Sequence, residues 1–127
     1  MNKYKYYLFD LDGTISESAL GIRESLENAI KSMGKPLPNL DDYDEIYLGY
    51  PNYCGTMPMV VYTFLEAFDF TGKTIHPFCT HEGSGLSNTV NDIKNTAKGA
   101  TVTNGLSLFV SDADKAEGIV NDWIKKV

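Results

Sequence analysis

Apolar runs and amphipathic stretches alternate along this chain, in the order strand then helix throughout. Consecutive apolar positions mark a strand covered on both faces, whereas apolar residues three and four apart mark one side of a helix. Tyr4 to Leu11 predicts a first strand, closed by the carboxylates Asp10 and Asp12 and by Gly13. Ile22, Leu26, Ala29, Ile30 and Met33 then lie on one helical face, and Gly34 and Pro36 stop that helix. After a polar joint, Pro38 to Asp44, a short strand Ile46 to Tyr50 ends at Pro51. A second helix starts near Met57 and Pro58, since proline is tolerated in a first turn, and presents Val60, Val61, Phe64, Leu65 and Phe68. Asp69 to Lys73 reads as a turn and Thr74 to Cys79 as a third strand, in which Pro77 argues against a regular central ladder. Gly83-Ser84-Gly85 opens a third helix carrying Leu86, Val90, Ile93 and Ala97. Ala100 to Val110 is a strand region interrupted by Asn104-Gly105, a turn or bulge signal. Ser111 can cap a last helix with Ala116, Ile119, Val120, Trp123 and Ile124 as its buried stripe. Strands alternating with helices predict an α/β layered fold.

Length changes this picture little: 127 residues make one α/β domain, 1–127. No apolar run nears the roughly 20 residues of a membrane span. The polar, tyrosine-rich stretch Met1 to Tyr7 is not a secretory leader, so a cytoplasmic protein is expected. Charge excludes more. Eleven basic against 17 acidic residues, a net of −6, argue against a sequence-independent grip on nucleic acid or an anionic membrane and leave room for a basic partner. Cys54 and Cys79 are too far apart for a zinc motif or a redox pair and read as buried small side chains in a reducing compartment.

Two stretches resemble known families. Leu8-Phe9-Asp10-Leu11-Asp12-Gly13-Thr14, at a predicted strand end, resembles the first motif of the haloacid dehalogenase-like phosphohydrolases. The likeness extends over 1–40 to the opening βα unit and first cap helix of a phosphoglycolate-phosphatase-like member. It implies Asp10 as phosphoryl-accepting nucleophile, Asp12 as acid and then base, and magnesium at Asp10 and Asp12. That family also needs a later serine or threonine, a lysine and an acidic pair. Ser111-Asp112-Ala113-Asp114 mimics the pair but reads as a helix N-terminus, where serine caps and carboxylates complement the dipole.

The remainder, residues 44–127 within a portion spanning 41–127, resembles a flavodoxin-like, short-chain FMN-binding protein. The ordered blocks are Ile46-Tyr47-Leu48-Gly49-Tyr50-Pro51, Gly55-Thr56-Met57-Pro58, Phe64-Leu65-Glu66, Phe70-Thr71-Gly72-Lys73 and Pro77 through Gly85. The resemblance implies a flavin held between two loops, Pro51, Asn52, Tyr53, Cys54, Gly55 and Thr56 in one, and Thr80, His81, Glu82, Gly83, Ser84 and Gly85 in the other. Glycines let backbone amides approach the ring edge and an aromatic side chain stacks on its face. Tyr53 and Cys54 stand where relatives often carry tryptophan. Tyr53 is either a stacking residue or an aromatic packed on the rim, and His81 and Glu82 either face the ring or are solvent-exposed loop groups. Tyr47 and Tyr50 read as strand packing and His76 as structural. The family's phosphate loop is replaced by Asp10 to Ser16, so Thr14, Ser16 and helix amides, or magnesium bridging Asp10 and Asp12, would hold the phosphate.

The two resemblances join where the family's second strand would stand, which implies a flavodoxin-like three-layer α/β/α fold with a mostly parallel four-stranded sheet in sequential order. Right-handed crossovers then place the first three helices on one face and the C-terminal helix on the other. A parallel sheet needs both faces covered. The exposed first strand and underprotected face predict a homodimer. The expected function is FMN-dependent electron transfer with a redox protein partner. The alternatives are a magnesium-dependent phosphohydrolase acting on a small phosphorylated ligand, and a hybrid fold with neither activity.

Overall fold

The computed structural model describes the backbone of residues 6–10, residues 28, 31–34 and 36, and residues 39–127. Its strands are β1 (Tyr6–Asp10), β2 (Glu45–Pro51), β3 (Thr74–His81), β4 (Thr101–Val102) and β5 (Leu106–Phe109), and its α-helices are α1 (Met59–Ala67), α2 (Thr89–Thr96) and α3 (Ala116–Ile124). Every strand pairing among the described residues is parallel, in the order β1-β2-β3-β4, with β5 also on β3. β4 and β5 lie end to end along one edge of β3, so they are the two halves of the expected strand Ala100 to Val110, and among the described residues the sheet is four strands wide.

The interruption has a cause in β3. The carbonyl of Ile75 accepts from the Thr103 N–H at 3.0 Å, so the backbone of Ile75 faces the β4 side, and Pro77, two residues on, faces it too. Proline has no N–H to give the ladder. The neighbouring strand leaves the ladder there, at Thr103 to Gly105, and resumes where Leu106 pairs with Phe78. Pro77 therefore sits in a central strand, contrary to the usual restriction, and the irregularity appears in the partner.

One sheet face, Ile46, Leu48 and Tyr50 of β2 with Ile75 and Cys79 of β3, packs with Met57, Val61, Leu65, Phe70, Ile93 and Ala97 into the main core. α1 and α2 thus cover one face, as expected of the second and third helices. The expected first helix lies almost wholly outside the described residues. The opposite face carries Tyr47, His76 and Phe78. Tyr47 stacks on His76 with centroids 4.7 Å apart, and Trp123 of α3 meets Tyr47 edge-on at 5.5 Å and Phe78 at 6.1 Å. Gly49 makes this possible: a Cβ there would meet Phe78 Cε2 at 2.6 Å, so the ring lies across β2 where a side chain would stand.

Several expectations need correction. α3 buries none of its residues fully, and Ile124 is exposed, because the helix reaches the sheet chiefly through Trp123. Met33 and Phe68 are exposed as well, Phe68 because it is the extended residue that ends α1. Ser111 caps nothing. It lies inside a 3-10 helix, Val110–Lys115, and α3 begins only after Lys115, with no side-chain cap. α2 begins at Thr89, not at Gly83-Ser84-Gly85, which remain loop. β3 extends to His81, so Thr80 and His81 are strand residues. No helix among the described residues is long and apolar enough to cross a membrane.

Candidate functional site

Parallel strands bring their carboxyl ends to one edge of the sheet: Asp10, Pro51, His81 and Phe109 end β1, β2, β3 and β5 there. In open α/β sheets this is the edge where ligands bind. Two loops rise from it, 52–58 after β2 and 82–88 after β3.

The first loop is a two-residue turn. Tyr53 and Thr56 exchange backbone hydrogen bonds at 2.9 and 3.0 Å. Cys54 and Gly55 between them have φ of 51° and 89°. Left-handed geometry at both central positions is what a tight hairpin demands, and glycine meets it without strain whereas Cys54 does not. Tyr53 and Cys54 form the exposed tip, which corrects the expectation of a buried Cys54. The Thr56 hydroxyl lies 2.8 Å from the Tyr62 hydroxyl, linking the turn to α1.

The second loop starts with His81 Nδ1 accepting from the Gly83 N–H at 2.9 Å, the imidazole resting edge-on against Phe109. Ser87, at φ 49°, donates its hydroxyl proton to the Ser84 carbonyl at 3.0 Å. Beneath the loop the Tyr50 hydroxyl donates to Thr89 Oγ1 at 2.8 Å, and Thr89 donates in turn to the Leu86 carbonyl at 2.6 Å. The Cys79 thiol donates to the Gly85 carbonyl at 3.3 Å. Burial pushes the Tyr50 phenol well above its ordinary value and the Cys79 thiol up to about 11, so both are neutral donors at physiological pH.

Asn52 joins the loops. Its N–H donates to the Thr80 carbonyl at 2.9 Å, and its side-chain amide donates to the Gly85 carbonyl at 2.8 Å and to Ser87 Oγ at 3.0 Å. Its Oδ1 accepts from the Gly55 N–H at 2.9 Å.

Of the residues expected at the site, Pro51 to Thr56 and Thr80 to Gly85 come together at this edge, with Glu82, Gly83 and Ser84 exposed. Asp12, Thr14 and Ser16 lie outside the described residues, and Asp10 is described only as the last residue of β1. Ser87 and Tyr62 join the site without any mark in the sequence. A left-handed serine has no sequence signature, and Tyr62 reads as one more position of an amphipathic helix. His76 faces away, under Trp123, as expected of a structural residue. Its Nδ1 lies 3.3 Å from the Thr103 hydroxyl, its Nε2 is buried with no hydrogen-bond partner, and burial holds its pKa below the ordinary value. Asp112 lies on the 3-10 helix, 3.9 Å from Lys115. Among the described residues no group of three or more histidine, cysteine or acidic side chains is placed to hold a metal ion.

An open parallel sheet covered by helices on both faces defines the doubly wound α/β class. Within it, the flavodoxin family model matches residues 2–127, and the chain belongs to that family. The match takes in residues 2–40 as well as the larger portion from residue 41 onward. No curated protein matches the sequence. Among solved structures, a candidate flavoprotein from Bacteroides uniformis is 28% identical, with a TM-score of 0.59 over 89% of this chain and 74% of its own. A flavodoxin from Fusobacterium nucleatum, solved bound to flavin mononucleotide, is 17% identical, with a TM-score of 0.56 over 95% of this chain and 93% of its own. The second likeness is one of fold.

Proposed function

We propose that the chain binds FMN between the two loops at the carboxyl edge and uses it to carry electrons. The observation that carries this reading is the interlocked pair of loops at the ligand edge of a sheet whose family match spans residues 2–127. The residues present fit a flat, polar-edged ring. Gly83 and Gly85 hold left-handed backbone with nothing within 4 Å of where a Cβ would stand, leaving space for close approach. Tyr53 is 44% exposed at the tip of the facing loop, free to stack on an aromatic face. The groups beneath the loops, Tyr50 and Cys79, are neutral donors and so place no negative charge under the ring.

FMN would supply the redox chemistry; the protein's part is to bind, orient and shield it. The backbone amides of Ser84 and Gly85 would bound the ring edge, and Thr14 and Ser16 the phosphate. Asp10 ends β1 at the same edge. With Asp12 it would repel a phosphate dianion by roughly 1 kcal/mol per charge pair at 4 Å in water unless a divalent cation intervenes. FMN affinity should then rise with added magnesium, and independence from magnesium removes the cation from the phosphate site. The net charge of −6 suits a basic redox partner whose association slows as salt is raised.

Titration of the purified protein with FMN tests the reading. A shifted absorption band and quenched flavin fluorescence are expected, and Tyr53→Ala should weaken binding about two- to tenfold, the worth of one aromatic stack. An unaltered flavin spectrum at saturating protein would end it.

A further inference from the structure

We infer that Asn52 is a positioning residue that ties the two loops into a single rim, so that the second loop keeps its ligand-ready shape only while the first holds it. Its carboxamide spends both N–H groups on the second loop, at Gly85 O and Ser87 Oγ, and its oxygen on the Gly55 N–H of its own loop. The orientation is fixed by chemistry: turned over, the amide would set oxygen against the Gly85 carbonyl and N–H against the Gly55 N–H. The acceptor across the gap is itself held, because the Gly85 carbonyl also takes the Cys79 S–H from the floor of the site. Ser87 Oγ accepts from Asn52 while donating to Ser84 O, so the same link reaches the middle of the second loop. Opening the first loop alone therefore breaks two side-chain hydrogen bonds to the second, and local opening of the pair becomes cooperative.

The FMN arm of this inference rests on the proposed function, whereas the coupling of the loops does not. Two variants separate the links. Asn52→Asp keeps the oxygen that accepts from Gly55 but loses both donors and turns a carboxylate toward the Gly85 carbonyl. Asn52→Ala loses all three side-chain bonds. In ligand-free protein, amide hydrogen exchange should show the Gly83 and Thr89 N–H groups exchanging about tenfold faster or more in both variants, while Gly55 stays protected in Asn52→Asp and loses protection in Asn52→Ala. FMN binding, read by fluorescence quenching, should weaken about tenfold or more in both. Gly99→Ala, which at φ 88° would set a Cβ 2.8 Å from Thr71 Oγ1 at the opposite end of the sheet, should lower the unfolding midpoint yet leave loop exchange and FMN affinity unchanged. Wild-type loop exchange in Asn52→Asp would overturn the inference, as would unchanged FMN affinity in both variants. If the unmodified chain itself fails to quench FMN, the functional reading falls, and the exchange rates alone decide for or against the coupled rim.

Discussion

Thr89 is fully buried, and its one hydroxyl accepts from Tyr50 and donates to the Leu86 carbonyl. Removing one partner of a buried bond is worse when a polar group is left behind than when none is. Tyr50→Phe leaves Thr89 its bond to Leu86 and should cost about 1 kcal/mol. Thr89→Val strands the Tyr50 hydroxyl, while the Leu86 carbonyl keeps the backbone N–H of residue 89, and should cost about 2 kcal/mol. Urea midpoints of the two variants give the ranking. His76 supplies a pH dependence. Burial opposes its charged form, outweighing the pull of Glu45, so its folded pKa lies below the ordinary 6.5. In the window between the two values the unfolded chain binds more protons. The neutral ring's contribution is thus complete above about pH 6.5, falls as pH drops through that value toward the folded pKa, and levels off below it. His76→Phe keeps a ring on Tyr47 without a proton to gain. It should lose less stability than wild type between pH 7.5 and 5, measured by urea denaturation.

Elements differ in how far sequence foretells them. β2 and β3 are legible because a strand covered on both faces must be apolar at successive positions, as Ile46 to Tyr50 are. The start of α1 is legible because Pro58 fits a helix entrance. Asn104-Gly105 marks the break in the last strand but not its cause, since Pro77 acts from the neighbouring strand 28 residues away. Ser111 misleads for a related reason: Val110 to Lys115 closes i to i+3 hydrogen bonds before α3 begins, a choice that short-range propensity does not decide. The loops' residue types are readable, yet the Asn52 link to Gly85 spans 33 positions and follows no period. The strand break also carries a prediction. Gly105 has φ 78°, and a Cβ there would lie 3.0 Å from the Pro77 carbonyl oxygen and 3.1 Å from its ring. Gly105→Ala should cost about 1–3 kcal/mol, read as a lowered midpoint in thermal or urea unfolding.

For the molecule as a whole, the described residues cover the two sheet faces unequally. α1 and α2 lay Val61, Leu65 and Ile93 against one face with no exposure to speak of, whereas α3 meets the other mainly through Trp123. The homodimer expected from the sequence is read by light scattering at micromolar concentration, where a mass twice 14.1 kDa supports it and a monomer removes it. The position of the two thiols has a practical consequence. Cys79 is sealed in the core and Cys54 stands at the tip of the first loop, so thiol-directed attachment to a gold electrode or a bead would seize the molecule by its ligand rim and hide it. Combining Cys54→Ser with Lys98→Cys, in the exposed turn that leads into β4, would move the anchor to the opposite edge of the sheet and turn the rim outward.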